Sequence, residues 1–152
     1  DHAARTHPSV IPHEPANGRS LRVLLVEDNV VNARIALALV RRAGHEVTHV
    51  ADGSLAVDAA ARERFDLVLM DVQMPVMDGL EATRQLRARE RPTGEHLPIV
   101  AMTANAMKGD DEACFQAGMD GYLPKPLEFG RLREMLSRYA ASEAPQRAAK
   151  SA

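Results

Sequence analysis

Three runs, LRVLLV at 21–26, LVLM at 67–70 and IVAM at 99–102, are almost wholly apolar, and each is followed by a stretch of helical length. A strand with one wet face alternates apolar and polar residues, so a strand that does not alternate is covered on both faces. Such strands need helices above and below them. Repetition of strand and helix along the chain supplies those helices and points to parallel βαβ units.

The remaining punctuation completes five such units. After the first strand, Leu21–Val26, a helix runs from about Val31 to Arg42, with Val31, Ile35, Ala38 and Leu39 on one face and Gly44 as the stop. Strand two is Glu46–Val50, and a helix from Ser54 to about Glu63 follows the turn Ala51-Asp52-Gly53, with Asp52 or Ser54 as its cap. Strand three is Leu67–Met70, and a loop carrying Pro75 and Gly79 leads into a helix to about Glu90. Strand four is Ile99–Met102, and its helix, from about Gly109 to Ala117, ends at Gly118. Tyr122 and Leu123 belong to a short fifth strand, and the last helix places Leu132, Met135, Leu136 and Tyr139 on one face. Right-handed crossovers leave few arrangements of five such units. The expectation is an α/β three-layer sandwich with five helices and the flavodoxin-like strand order 2-1-3-4-5, an order borrowed from known doubly wound sheets.

Residues 1–20 hold three Pro, three His and no apolar period, and residues 140–152 are Ala-rich and polar, so both read as flexible linkers around a domain at 21–139. The chain starts at Asp1 rather than Met, which suggests a piece excised from a longer protein. With 19 Lys+Arg against 21 Asp+Glu it has no basic field for nucleic acid or an anionic membrane. Cys114 is the only cysteine, so no intrachain disulfide can form, and a cytoplasmic setting is expected. Cys114 itself reads as a passive helix thiol, and His2, His7 and His13 as solvated tail residues.

Ligands of open α/β sheets bind beyond the carboxyl ends of the strands. Those ends carry Glu27 and Asp28 after strand one, Asp71 after strand three, Thr103 after strand four and Lys125 after strand five. Crowded carboxylates repel unless a cation sits among them. Oxygen donors without His or Cys select a hard ion, and a partial cage with open positions suits Mg²⁺. Lys125, one of three lysines in a chain that otherwise uses Arg, is placed to balance a phosphoryl oxygen, and Thr103 to donate to one. Asp71, ending the apolar third strand, is the best nucleophile. Taken singly, Thr103 reads as an ordinary strand residue and Tyr122 as a packed aromatic.

The segments VEDN at 26–29, MDVQMPVMDG at 70–79, AMTANAM at 101–107 and GYLPKP at 121–126 resemble the receiver domain of two-component phosphorelay systems, in order and spacing over residues 21–139. The wording MPVMDGLEAT and AMTANAM is further similar to receivers attached to hybrid sensor histidine kinases. The resemblance implies a phosphoacceptor at Asp71, with Glu27, Asp28 and the Gln73 backbone carbonyl around Mg²⁺. It implies a switch pair, Thr103 and Tyr122, and an essential Lys125 joined by a cis bond to Pro126. Gln73 and Asn105 flank the attack path and are expected to tune the phosphoryl lifetime. Implied partners are a histidine kinase or a histidine phosphotransfer domain, met by a monomeric receiver with no direct contact to nucleic acid or membrane.

Two other classes fit less well. A phosphatase with an aspartyl-phosphate intermediate generally needs a second aspartate two residues after its nucleophile, where this chain has Gln73. A flavodoxin-type cofactor module needs a phosphate loop after strand one, where Glu27 and Asp28 repel phosphate. A non-reacting adaptor leaves the whole constellation unexplained.

Overall fold

The computed structural model of the chain describes residues 20–72, 78–104 and 111–141. Its elements are β1 (Arg22–Val26), α1 (Val30–Arg42), β2 (Glu46–Val50), α2 (Gly53–Arg62), β3 (Leu67–Asp71), α3 (Gly79–Glu90), β4 (Ile99–Thr103), α4 (Asp111–Ala117), β5 (Gly121–Pro124) and α5 (Phe129–Ala141). All neighbouring strands pair in parallel, in the order β2-β1-β3-β4-β5. The expected α/β flavodoxin-like sheet is the one found.

Alternation along the strands divides the core into two layers. Val23 and Leu25 of β1, Leu67 and Leu69 of β3, and Val100 and Met102 of β4 pack against α1 and α5. Leu24, Val26, Val68, Met70, Ile99 and Ala101 face the other way, against α2, α3 and the Cys114 side of α4. Every residue of β3 and β4 is buried, as runs without alternation require. Cys114 is a fully buried thiol on the inner side of α4.

The helix ends follow local chemistry. Asn29 caps α1 by accepting from the Asn32 N–H at 2.9 Å, and Asp52 caps α2 through Ser54 and Leu55 at 2.8 and 3.0 Å. Gly44 and Gly118 take positive φ, 94° and 113°, where the chain leaves α1 and α4.

Two expectations need correction. The apolar face of α1 is turned around: Ala33, Ala36 and Val40 are buried, while Val31 is 64% and Ile35 48% exposed, Ala38 is exposed and Leu39 only reaches the core edge. Small side chains let a helix lie close to the sheet, and that contact is filled here by alanine. The last helix also runs through Ala141 with Ala140 buried, two residues into the segment read as a C-terminal linker. The loop residues Pro75, Gln73 and Asn105, the tail histidines and, apart from Ser20, the rest of both linkers lie outside the described residues.

Candidate functional site

Register builds the site. Val26 pairs with Met70, so Glu27 stands level with Asp71; Asp71 pairs with Met102, and Thr103 pairs with Pro124, directly before Lys125. Counting by twos from Leu25, Leu69 and Leu123, which share the α1 and α5 face of the sheet, Glu27, Asp71 and Lys125 continue onto that same face. Their side chains meet there. Lys125 Nζ lies 3.1 Å from Glu27 Oε1 and 3.2 Å from Asp71 Oδ1. Carboxylate oxygens of Glu27, Asp28 and Asp71 lie within 4.8 Å of one another. A cleft of about 220 Å³ opens on this group, lined also by Asn29, Asn32, Met102 and Thr103.

The backbone around Asp71 is fixed on both sides. Val72 N–H donates to the Met102 carbonyl at 3.3 Å, and Gly79 N–H returns to the Val72 carbonyl at 3.0 Å. Gly79 comes so near that a Cβ on it would lie 2.3 Å from the Asp71 carbonyl oxygen, so this position has no room for a side chain. Thr83, fully buried, ties the start of α3 by donating to the Gly79 carbonyl at 2.7 Å. Lys125 N–H donates to the Thr103 carbonyl at 2.8 Å, which holds the ends of β4 and β5 together. The Lys125–Pro126 peptide is cis.

Electrostatics follow from burial. Glu27 is 2% and Asp71 5% exposed, whereas Asp28 is exposed. Burial, reinforced by a hydrogen bond and charge repulsion from Glu27, pushes the Asp71 carboxyl up to about 6, against the opposing pull of Lys125. Burial works against the Lys125 charge, yet the Glu27 and Asp71 carboxylates hold its ammonium above the usual lysine value. Among the described residues, one ammonium beside three carboxyl groups leaves an excess of negative charge.

Sequence reasoning placed Glu27, Asp28, Asp71, Thr103 and Lys125 together, and the cleft contains all five. Tyr122 is not among its lining residues; its ring is 36% exposed and meets Phe115 edge to face at 6.5 Å. Gln73 and Asn105 lie outside the described residues. The sequence reading gave Asn29 no role beyond its place in VEDN and did not single out Asn32; a cap position beside the acidic pair was the available signal.

The family model for the response regulator receiver domain matches residues 23–137. The sensor protein GacS of Pseudomonas syringae pv. syringae is 43% identical over 138 residues, covering 88% of this chain but only 15% of that protein. The receiver domain of the sensor histidine kinase PA1611 from Pseudomonas aeruginosa, solved with magnesium coordinated in its active-site cleft, is 47% identical at TM-score 0.73, covering 81% of this chain and 99% of that one. A chain from the co-crystal of the yeast histidine phosphotransfer protein Ypd1 with the receiver domain of Ssk1 is 29% identical at TM-score 0.76, covering 82% of this chain and 92% of that one. An acidic cluster raised on the ends of a 2-1-3-4-5 sheet, matched from β1 into α5, makes this chain a member of the response regulator receiver domain family.

Proposed function

We propose that the chain takes a phosphoryl group from a phosphohistidine onto Asp71, with Mg²⁺ held by Glu27, Asp28 and Asp71. The observation that carries this reading is the trio of carboxylates within 4.8 Å, two of which, Glu27 and Asp71, Lys125 bridges at the strand ends. An oxygen-only donor set with surplus negative charge fits Mg²⁺; the Asp71 carboxyl is raised first by its burial and then by the neighbouring Glu27. When bound, Mg²⁺ offsets the charge on the transferring phosphoryl oxygens. The family resemblance adds the backbone carbonyl of Gln73 to this set.

In the transfer, an Asp71 carboxylate oxygen forms the new O–P bond as the N–P bond to the donor imidazole breaks, and that nitrogen keeps the electron pair. Lys125 meets a phosphoryl oxygen, and the Thr103 hydroxyl donates to another. Drawing Thr103 inward opens room for Tyr122 to leave its exposed position beside Phe115, which changes the surface of α4, β5 and α5. Gln73 and Asn105 tune the lifetime of the acyl phosphate. Water then hydrolyses it, so the domain acts on itself stoichiometrically rather than as a catalytic enzyme in the usual sense.

The partner reading rests on α1. Asn29 and Asn32, in its cap and first turn, line the cleft, and Val30, Val31 and Ile35 beside them are exposed. A phosphohistidine in line with Asp71 brings its own protein against this rim, and an apolar helix face suits a helical partner. That partner is a histidine phosphotransfer domain or a histidine kinase. We read the receiver as a monomer, carried by a hybrid sensor kinase on the cytoplasmic side; among the described residues no helix is long and apolar enough to cross a membrane.

Acetyl phosphate with Mg²⁺ should add one phosphoryl group to the wild-type protein and to Thr103→Ala, and none to Asp71→Asn, by intact-protein mass spectrometry. Wild-type labelling of Asp71→Asn on another residue would overturn the assignment.

A further inference from the structure

Glu27 is held from its outer side by the edge strand β2. Its N–H donates to the Val50 carbonyl at 3.1 Å, extending the ladder one residue past β1. There β2 ends, because the chain turns through Ala51 and Asp52 caps α2. A side chain meets the Glu27 carbonyl instead: His49 Nε2 lies 2.8 Å from it. A carbonyl oxygen can only accept, so Nε2 carries the hydrogen and the imidazole donates. His49 pairs with Leu25, two residues before Glu27 and on the same face, which brings the ring within reach.

The Glu27 carbonyl and the Asp28 N–H share one rigid peptide plane. Fixing the oxygen therefore fixes the direction in which Asp28 starts. Glu27 has other anchors, since its Oε1 pairs with Lys125 and its Oε2 accepts from the Asn29 N–H at 3.2 Å. Asp28 is the exposed member of the trio and sits at the bend between β1 and α1.

We infer that His49 is a positioning residue for the cation site: its imidazole clamps the Glu27–Asp28 peptide and so aims the Asp28 carboxylate at the ion shared with Asp71. This rests on the Mg²⁺ reading of Glu27, Asp28 and Asp71. His49 touches neither the ion nor the phosphoryl group and acts through the backbone alone. Octahedral Mg²⁺ tolerates little misdirection of its ligands, and loss of an outer partner of a ligand typically costs about 10–100-fold in metal affinity. Because one ligand of several is affected and only through its peptide, the loss expected here is about 5–10-fold.

The test is a Mg²⁺ titration by calorimetry at one neutral pH, with the Asp28 amide followed by NMR, in wild type, His49→Leu, His49→Gln and Asp28→Asn. Urea unfolding without metal checks that each variant folds. The clamp predicts that His49→Leu binds Mg²⁺ about 5–10-fold more weakly with a shifted Asp28 amide, and that His49→Gln, whose side-chain amide also donates, stays within about twofold of wild type. Asp28→Asn should lose most of the affinity. Wild-type affinity in His49→Leu beside an impaired Asp28→Asn would overturn the clamp and leave the metal site standing, as would equal weakening of the Leu and Gln variants. Wild-type affinity in Asp28→Asn would overturn the metal site itself, and the clamp with it.

Discussion

The two ends of the sheet carry similar charges and use them in opposite ways. At the amino ends, Arg87 of α3 donates to Gly118 O, Leu97 O, Glu90 Oε1 and Asp120 Oδ2, all at 2.7–2.8 Å. Asp120 also accepts from the Ile99 N–H at 2.8 Å and faces His96 Nε2 at 2.6 Å, while Glu90 accepts from the Leu97 N–H at 2.6 Å. Glu90 and Asp120 thus each have a cation and a backbone donor. At the carboxyl ends, Glu27 and Asp71 share Lys125 with Asp28 close by, and Asp71 rises to about 6. Ion pairs matched by backbone donors tie β4, β5 and α3 into a frame, and three carboxylates beside one described ammonium make a site that suits a further cation. Size does not separate the two: the groove at the amino ends, about 700 Å³, is larger than the acidic cleft, about 220 Å³.

Breaking the paired end should have the largest effect on stability. In Arg87→Met, Glu90 and Asp120 keep their backbone donors but lose their guanidinium partner in a half-buried setting. The Arg87 side chain is 13% exposed, so the expected loss lies below that of a fully buried pair, at about 2–4 kcal/mol by urea unfolding. Mg²⁺ affinity under native conditions should not change. A loss below about 1 kcal/mol would show that solvent screens this network as it does an ordinary surface pair.

At the acidic carboxyl ends, removing a charge should stabilise. Because the folded-state value of Asp71, about 6, lies above the ordinary aspartate value of 3.8, the folded protein binds more protons than the unfolded chain between them. Asp71 therefore costs no stability below about pH 4, and the cost grows as pH rises through about 6. Without Mg²⁺, Asp71→Asn should be more stable than wild type near pH 7.5 by about 1–3 kcal/mol, since each pKa unit is worth about 1.4 kcal/mol, and the difference should vanish near pH 4. Mg²⁺ should reverse the order by stabilising the wild type. For the same reason, Mg²⁺ affinity of the wild type should weaken below about pH 6, where the ion displaces a proton from Asp71. Equal stability of the two proteins across this range would mean that Lys125 fully compensates the site.

The sheet and the acidic cleft were legible because both follow from short-range pattern. Apolar runs name the buried strands, and the residues that end them are the site. Arg87 was invisible, since a cation inside a helix looks the same whether it points to water or to Asp120. His49 gave no signal for a similar reason: its partner lies across a register that only the folded sheet defines. Ala140 was assigned to a linker because an alanine registers weakly in any hydrophobic count, although its smallness suits the closely packed end of α5. The orientation of α1 failed most instructively. Val31 and Ile35 outweigh Ala33 and Ala36 in apolar area, and by area alone they belong inside.

That they lie outside gives the smallest expected stability effect and the sharpest division of roles. Ile35 is 48% exposed and contributes little to the core, so Ile35→Ser should change unfolding stability by no more than about 0.5 kcal/mol. Acetyl phosphate reaches Asp71 without a protein partner, so its labelling rate should match wild type. The proposed docking of a histidine phosphotransfer domain on the rim of the cleft predicts that transfer from such a phosphorylated domain, at limiting partner concentration, falls about tenfold in rate, the equivalent of about 1.4 kcal/mol of lost contact. Equal slowing with both donors would place the defect in the site rather than in docking. An unchanged rate with the protein donor would remove α1 from the interface and leave its exposed apolar face without a role.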